Sequence, residues 1–447
     1  MKNYTYPVHP VRNNFPHGFN ERRRNLKLEV SRSIIKGEIS VPGSKSHTIR
    51  AVAIAAMADG VSKIYGPLIS GDTLSSLAAA SAFGAGIDTQ ENLWMIRGVA
   101  GKPVMKESVI DVGNSGTTLR IFGGLSSISS HKTEFDGDDS LRTRHMAPVL
   151  SALEMLGAKT VSKDGKCPLS IQGPIRGGKT TVEGKSSQFL TAVLLAVPLI
   201  EGDTEISVFN LNEKPYVEIT LDWLNRQNIK YEYSKDLLSF KVKGGQSYKP
   251  FELTIPADFS TATFPLVAAA VTGGEVLIKN LDFNDRQGDK EVFSYLEKMG
   301  MNIKRGFENT IVKSSGKLNG IDIDLNSTPD ALPAMAVAAC FATGTTRLLN
   351  VPQARIKETD RIACMTCELR KMGADVEELP DGMVIRSSKL HGAEVESHHD
   401  HRIAMALAIA GLNAEGLTIV KHAESAAVTY PEFVDDFRKL GADFQTG

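Results

Sequence analysis

The sequence predicts an α/β protein of two domains with pseudo-threefold symmetry, each domain made of three repeated β/α units. Three observations lead to this fold class. The chain has 447 residues, about three times the size of a common single domain. One pattern of strands and helices recurs six times along it, and the helices alternate between an apolar and an amphipathic type.

Two series of positions keep the same period and so define the units. The first is a polar turn that opens each unit, and successive turns are 70, 72, 72, 72 and 70 residues apart. The second is a glycine or asparagine after the second helix, at intervals of 73, 71, 72, 73 and 68 residues. The turns lie at Ser44, Asn114, Ser186, Asp258, Asp330 and Asp400. The helix ends lie at Gly84, Gly157, Asn228, Gly300, Gly373 and Gly441.

The two helices of each unit are expected in different layers. The helix after the turn, as at 259–272 and 401–412, is apolar on nearly all sides, which is typical of a buried helix. Its amphipathic partner, as at 290–299, is expected on the outer wall. A strand at 27–41 precedes the first complete unit, so we expect it to complete the C-terminal domain. The predicted boundaries are a tail at 1–26, one domain at 27–43 plus 257–447, and another at 44–256.

The charge balance excludes several classes of protein. Lysine and arginine number 51 and the acidic residues 52, which gives a net charge of −1 with no long block of one sign. We therefore expect binding to neither nucleic acid nor a membrane. The longest apolar stretches, such as 190–200, are shorter than the roughly 18 residues that cross a bilayer. Because the chain has only 4 cysteines, we expect a cytoplasmic location, and we expect a monomer.

The polar turns are the predicted sites of chemistry. Each one opens a helix, whose free N–H groups and positive dipole end favour anions. Capping of the helix by its own Ser, Thr, Asn or Asp explains any single turn. Repetition of the turn in six units favours an anion site instead. The turns that also carry charged residues lie at 42–50, 113–120, 185–188, 256–258 and 400–402.

The segment 355–361 combines a carboxylate with several cations. If it is helical, Arg361 has Lys357 and Glu358 as neighbours one turn away. A solvated helix face with ion pairs would explain this pattern. Alternatively, a carboxylate between cations can pass a proton beside a bound anion. Arg144 adds a guanidinium suited to bidentate binding of a carboxylate or phosphate.

Other motifs are weaker. Residues 43–46 resemble a phosphate loop but lack its glycine spacing, which disfavours a nucleotide triphosphatase. Cys364 and Cys367 lie inside a predicted helix without a second cysteine pair, so we expect buried packing. The histidines at 398–401 open a helix as the other turns do. We therefore expect no metal site.

On these motifs the chain resembles the enolpyruvyl transferase family. The resemblance covers about residues 27–445, and its motifs lie at 42–46, 113–120, 186–188, 214–216, 357–361 and 400–402. It implies two domains with the active site in the cleft between them. It also implies transfer of the carboxyvinyl group of phosphoenolpyruvate to the 5-hydroxyl of shikimate 3-phosphate, a step of aromatic amino-acid biosynthesis. No metal or organic cofactor is implied.

The resemblance further implies roles for individual residues. Asp330 would accept the proton of the attacking hydroxyl, Glu358 would donate a proton to the methylene carbon, and Lys45 would assist catalysis. The residues implied to bind shikimate 3-phosphate are Lys45, Ser46, Arg50, Ser186, Ser187, Gln188, Tyr216, Asp330 and Lys357. Those implied to bind phosphoenolpyruvate are Lys45, Gly116, Arg144, Gln188, Arg361 and Arg402.

Three positions depart from the family pattern. Glu213 stands where the family has a serine that helps hold the acceptor's phosphate, and a carboxylate there should repel one. We expect either a side chain turned to solvent or a changed acceptor. His145 replaces a proline. Val428 replaces a lysine that lies by phosphoenolpyruvate and contacts glyphosate, although Lys421 upstream could substitute for it.

Two alternatives remain on sequence grounds. The departures at Glu213 and Val428 favour a specialised carboxyvinyltransferase with another hydroxylated acceptor, or a non-catalytic anion-binding relative. The related enzymes that act on UDP-N-acetylglucosamine are disfavoured, because they carry a catalytic cysteine in the first domain and no cysteine precedes Cys167.

Overall fold

The computed structural model describes residues 25–447 except 106, 108, 307 and 308. Almost all of the predicted tail at 1–26 therefore lies outside the described residues. The α-helices are α1 (Lys45–Met57), α2 (Gly71–Ala82), α3 (Gly116–Ser126), α4 (Ala147–Met155), α5 (Ser187–Ala196), α6 (Lys214–Arg226), α7 (Phe259–Thr272), α8 (Glu291–Lys298), α9 (Leu332–Cys340), α10 (Arg361–Lys371), α11 (His401–Gly411) and α12 (Phe433–Lys439). Short 3₁₀ helices lie at Leu141–Thr143, Val197–Leu199, Gly288–Lys290, Pro329–Ala331, Pro352–Ile356 and Ala423–Val428.

Fourteen strands of the described chain lie between residues 28 and 254. These strands are β1 (Leu28–Ser31), β2 (Lys36–Ser40), β3 (Val61–Tyr65), β4 (Gly86–Gln90), β5 (Leu93–Arg97), β6 (Val109–Asp111), β7 (Lys132–Asp136), β8 (Lys159–Lys163), β9 (Lys166–Gln172), β10 (Lys179–Glu183), β11 (Thr204–Phe209), β12 (Tyr231–Tyr233), β13 (Ser239–Val242) and β14 (Glu252–Thr254). The remaining strands are β15 (Glu275–Lys279), β16 (Asn302–Arg305), β17 (Asn309–Lys313), β18 (Leu318–Asn319), β19 (Asp322–Asp324), β20 (Ala342–Thr343), β21 (Thr345–Leu349), β22 (Asp375–Leu379), β23 (Gly382–Arg386), β24 (Glu394–Glu396), β25 (Thr418–Lys421) and β26 (Asp443–Thr446).

One sheet pattern occurs six times among the described residues, which confirms the predicted repeat. Each of these sheets has four strands, of which the first two are parallel and the others antiparallel to their neighbours. The orders are β14-β3-β5-β4, β6-β7-β9-β8, β10-β11-β13-β12, β2-β15-β17-β16, β19-β21-β23-β22 and β24-β25-β1-β26. The parallel pair brackets a buried helix in most units, as β10 and β11 bracket α5.

The helices occupy the layers that their sequences predict. In α7 every residue from Phe259 to Val271 is buried, whereas α8 buries only its apolar stripe. Helix α3 packs against α1 and α5, and α7, α9 and α11 pack against one another. The second helix of each unit ends before a residue with positive φ, from 55° at Asn228 to 114° at Gly300. That left-handed residue terminates a helix, which explains the second repeat series.

Some predicted boundaries differ from the structure. The predicted strand at 27–41 is two strands, because β1 pairs with β25 and β26 whereas β2 pairs with β15, and the chain must turn between the two sheets. The cap of α3 is Ser115, one residue after the predicted turn position. The expected burial of the cysteine pair is wrong, because Cys367 is exposed and Cys364 is only partly buried on α10.

The buried hydrophobic residues form two clusters. One combines β1 and β2 with residues 257–444, and the other lies within residues 49–255. We call residues 44–256, which hold the second cluster, the first half, and the rest of the described chain the second half. The chain passes twice between these halves, at neighbouring points where Gly43 and Ala257 form an antiparallel bridge. Two backbone hydrogen bonds flank this bridge, from Ser44 to Pro256 at 2.8 Å and from Asp258 to Pro42 at 2.9 Å. Of the helices in the described residues, none combines the length and apolarity needed to span a membrane.

Candidate active site

The helix N-termini of the two halves face a common cleft. It holds two neighbouring cavities of about 30 Å³ each, and residues from both halves line them. The predicted site residues that line the cavities are Lys45, Gly116, Arg144, Ser186, Gln188, Asp330, Lys357, Glu358, Arg361 and Arg402. The structure thus brings together most of the residues selected from separate motifs of the sequence.

Asp330 lies where a short 3₁₀ helix leads into α9, and two arginines bind it. Arg361 donates to its Oδ1 at 2.9 Å, and Arg402 Nη2 lies 3.0 Å from its Oδ2. Burial would raise the pKa of Asp330, but Arg402 and the neighbouring cations hold it well below its usual value. The carboxylate is therefore ionised.

Glu358 is the second carboxylate of this cluster. Arg361 Nη2 donates to its Oε2 at 2.6 Å, and Arg144 from the other half lies 3.6 Å from its Oε1. Burial would raise the pKa of Glu358, but Arg361 and Arg144 hold it well below its usual value. The segment before it is not an α-helix, because α10 begins only at Arg361, capped by the Asp360 side chain.

Arg361 is the centre of the ion-pair network. It is 1% exposed, and besides Asp330 and Glu358 it binds Asp400, the N-cap of α11, through Nε at 2.8 Å. Asp400 also accepts the backbone N–H of Arg402 at 2.9 Å. Three carboxylates therefore hold and orient one buried guanidinium.

Cations from the first half complete the cleft wall. Lys45 lies 3.1 Å from Asp72. Arg144 donates to the Asn114 side chain at 2.6 Å. A Cβ at Gly116 would lie 2.9 Å from Arg144 Nη1, so the absence of a side chain on Gly116 lets the guanidinium approach the N-terminus of α3.

Glu213 is buried rather than turned to solvent. Its Oε2 accepts the backbone N–H of Ser187 at 3.1 Å and the Ser187 hydroxyl at 2.8 Å, and its Oε1 pairs with Lys357. The residue is 1% exposed, so the expectation of a solvent-facing side chain is wrong. Burial would lower the pKa of Lys357, but Glu213 and Asp330 raise it above its usual value.

One predicted acceptor ligand, Arg50, is engaged elsewhere in this arrangement. Arg50 is 2% exposed and donates to Thr220 at 3.0 Å, to the Tyr216 carbonyl at 3.1 Å and to the Ser46 carbonyl at 3.0 Å. These donors are therefore engaged inside the first half. The roles predicted for Arg50 and Ser46 stay predictions.

His401 in the cleft and Asp289 beside it were not among the predicted site residues. Asp289 is 1% exposed, and the Tyr216 hydroxyl donates to it at 2.8 Å. Burial, together with the nearby charge of Asp330, raises the pKa of Asp289 to about 6. His401 is also buried, which holds its pKa well below the usual value. The motif at 400–402 contained a signal for His401, whereas Asp289 lies in a short 3₁₀ turn without a recognisable pattern.

The histidines at 398–401 do not converge on one point. His398 bonds Glu368 at 2.9 Å, and His401 lies in the cleft. Among the described residues, His399, His422 and Glu424 do place ligand-type atoms within 4.8 Å of one another. The carboxylate of Glu424 already accepts backbone N–H groups at the start of the described chain.

Val428 ends a 3₁₀ helix that packs against α11. Lys421, which sequence reasoning offered as a substitute cation, pairs instead with Glu394 and is 38% exposed. His145 is exposed, and its carbonyl accepts a 3.4 Å hydrogen bond from Arg120. Lys421 therefore does not replace the lysine that is missing at position 428.

Comparison with known proteins gives one consistent result. The family model of EPSP synthase (3-phosphoshikimate 1-carboxyvinyltransferase) matches residues 31–437. Relatives named 3-phosphoshikimate 1-carboxyvinyltransferase from Acetivibrio thermocellus and Ruminiclostridium cellulolyticum are each 49% identical to this chain. The matches cover 94% of this chain and 100% and 99% of those relatives, respectively.

The fold comparison agrees with the sequence comparison. A solved structure of EPSP synthase from Acinetobacter baumannii matches with a TM-score of 0.80 at 27% identity. The match covers 95% of this chain and 100% of that chain. The predicted fold class, two pseudo-threefold halves around a cleft, is confirmed.

Proposed function

This chain belongs to the EPSP synthase family, and we propose that it transfers the carboxyvinyl group of phosphoenolpyruvate to the 5-hydroxyl of shikimate 3-phosphate. The products are 5-enolpyruvylshikimate 3-phosphate and phosphate. It is a transferase of the shikimate pathway, which leads to the aromatic amino acids.

One arginine carries the assignment of the chemistry to this cleft. Arg361 holds Asp330 on one terminal nitrogen at 2.9 Å and Glu358 on the other at 2.6 Å. Two carboxylates with separate roles in proton transfer are thus fixed relative to each other by a buried, planar group.

The proposed reaction has two steps. The acceptor's hydroxyl oxygen bonds to C2 of phosphoenolpyruvate while Asp330 takes the hydroxyl proton and Glu358 protonates the methylene carbon. The tetrahedral adduct then expels phosphate with the electrons of its C–O bond. Glu358, left as a carboxylate by the first step, takes a proton from the new methyl group, which restores the double bond.

Phosphoenolpyruvate is proposed to bind the cations of the cleft. Lys45, Arg144, Arg361 and Arg402 each pair with a carboxylate or amide of the protein. An incoming anion would share these cations and withdraw positive charge from Glu358. The pKa of Glu358 would then rise, which prepares it to carry the proton that it donates.

Entry of the substrates requires the halves to separate. Each cavity of the cleft is about 30 Å³, room for roughly one water molecule. Ion pairs such as Arg144 with Glu358 cross between the halves and close the cleft. The neighbouring crossings at Gly43 and Ala257 are a natural hinge, because they connect the two hydrophobic clusters.

We propose a cytoplasmic monomer that binds neither nucleic acid nor a membrane. The net charge of −1 supports the absence of a polyanion-binding surface. The cysteines are all free thiols, which suits a reducing compartment. Both walls of the cleft come from one chain, so the site needs no partner subunit.

Phosphate release tests the proposed function. The purified protein is mixed with phosphoenolpyruvate and shikimate 3-phosphate, and inorganic phosphate and the enolpyruvyl product are measured. We expect release that depends on both substrates and that is lost in Asp330→Ala. Binding of both compounds without release would identify a non-catalytic relative instead.

A further inference from the structure

Glu213 is a buried carboxylate that the proposed reaction does not use. It is the N-cap of α6 and has φ 57°, a left-handed conformation that few residues other than glycine adopt. This backbone directs the carboxylate to the first residue of α5. There it accepts two hydrogen bonds from Ser187 and pairs with Lys357 across the cleft.

The partners of Glu213 are the donors of an anion site. They comprise a backbone N–H at a helix N-terminus, a hydroxyl group and a partly buried ammonium group. These same groups bind phosphate well, because they replace the water of a dianion. Beside them lies the cavity lined by Arg120, Arg144 and Ser186. The protein has therefore placed its own anion among donors suited to an external one.

The Glu213 carboxylate and a phosphate group cannot both accept strong hydrogen bonds from these donors at the same time. A phosphate that approached Ser187 and Lys357 would meet the Glu213 carboxylate at short range, where like charges repel strongly. The carboxylate would have to withdraw, and withdrawal breaks its ion pair with Lys357. That ion pair also joins the two halves, so its loss removes one of the contacts that hold the cleft closed.

We propose that Glu213 is an internal competitor for the phosphate group of the acceptor. It neutralises Lys357 and occupies the Ser187 donors while no acceptor is bound, and the acceptor's phosphate displaces it. Glu213 thus sets the affinity for the phosphorylated acceptor. The inference rests on the proposed function, which supplies an acceptor with a phosphate group.

Calorimetric binding of shikimate 3-phosphate and of unphosphorylated shikimate tests this competition in the parent, Glu213→Gln and Glu213→Ser. Both neutral variants should bind the phosphate compound at least about tenfold more tightly, since a charged contact is gained. Binding of shikimate should change less than about twofold. The matched control is Glu218→Gln, an exposed carboxylate on the same helix, which should bind both compounds as the parent does.

The outcomes separate the inference from the proposed function. Unchanged or weaker binding of shikimate 3-phosphate in the neutral variants, or equal tightening toward shikimate, overturns the competition. Turnover of both substrates by the parent would still support the transferase in that case. Absence of turnover with either acceptor overturns the transferase instead. If the neutral variants fail to fold, Glu213→Asp keeps the charge but shortens the reach, and it should also tighten binding of shikimate 3-phosphate; parent-like binding would overturn the inference.

Discussion

Asp289 and Asp330 face the same tyrosine hydroxyl. Tyr216 donates to Asp289 at 2.8 Å and its oxygen lies 3.4 Å from Asp330. Arg402 and the other cations surround Asp330, whereas Asp289 has one oxygen without a hydrogen-bond partner in the described structure. Their proton affinities diverge, because burial and the charge of Asp330 raise the pKa of Asp289, whereas Arg402 and the other cations lower that of Asp330.

The raised pKa of Asp289 predicts a pH-dependent effect of Asp289→Asn on stability. The pKa rises from 3.8 to about 6 on folding, so the parent's relative stability falls as pH increases from about 4 to 7. The variant has no titrating group at position 289, so it does not lose the stability that the parent loses when Asp289 ionises. Its free energy of unfolding relative to the parent should therefore increase over that range, by at most about 3 kcal/mol.

Urea denaturation at pH 4 and pH 7 measures this difference. The exposed Asp88→Asn serves as a control and should show a smaller change with pH. A relative stability of Asp289→Asn that is independent of pH would show that Asp289 does not titrate in this range.

Removing either carboxylate from Arg361 should impair turnover. We expect Asp330→Ala and Glu358→Ala each to lower kcat by about 100-fold or more, as for positioned acid and base groups. Steady-state phosphate release measures the effect, and circular dichroism checks the fold. Near-parental kcat in both folded variants would remove the assigned roles.

Binding of phosphoenolpyruvate should be accompanied by proton uptake at Glu358. The carboxylate is ionised beside Arg361 and Arg144, and an anion that shares these cations raises its pKa. Titration calorimetry in buffers of different ionisation enthalpy counts the protons taken up. Glu358→Gln should take up fewer protons than the parent, and an equal number in both would contradict the assignment.

Arg402→Ala should chiefly weaken the binding of phosphoenolpyruvate. A charged hydrogen bond contributes about 1.5 to 3 kcal/mol, or roughly 10-fold to 100-fold in affinity. The dissociation constant is measured directly, with the surface variant Arg386→Ala as control because Arg386 pairs with two exposed carboxylates of its sheet. An unchanged dissociation constant would exclude Arg402 from the anion site.

Introducing the missing lysine at position 428 should strengthen anion binding. We expect Val428→Lys to tighten the binding of both phosphoenolpyruvate and glyphosate, by up to roughly 100-fold. Lys421→Ala should change little, because Lys421 pairs with Glu394 on β25 and β24. Inhibition constants for glyphosate check both variants. The opposite pattern, with loss only in Lys421→Ala, would reassign the cation.

The sequence predicts the fold well because local residue patterns, namely the helix-ending residues and the apolar helices, specify the repeat. The helix ends at Gly300 and Asn228 have the left-handed backbone that their residue types favour. The apolar run at 259–272 coincides with α7, and it is buried as predicted because a helix that is apolar on all sides packs in the core.

The pairing of charges within the site is less predictable, because it depends on distant parts of the chain. The sequence near Glu213 contains no sign that its carboxylate meets Lys357 from the other half. The segment at 355–361 has helical spacing, yet the Asp360 cap delays the helix to Arg361. Asp289 becomes a site residue only because Tyr216 and Asp330 approach it in three dimensions.

The placement of β1 and β2 affects how the chain folds during synthesis. Both strands leave the ribosome early, but β15 arrives much later and β25 and β26 arrive last. Residues 44–256 can complete their own hydrophobic cluster while these strands still lack partners. Unpaired strand edges favour aggregation. Nascent chains that stop before β15 therefore expose both strands without their partners.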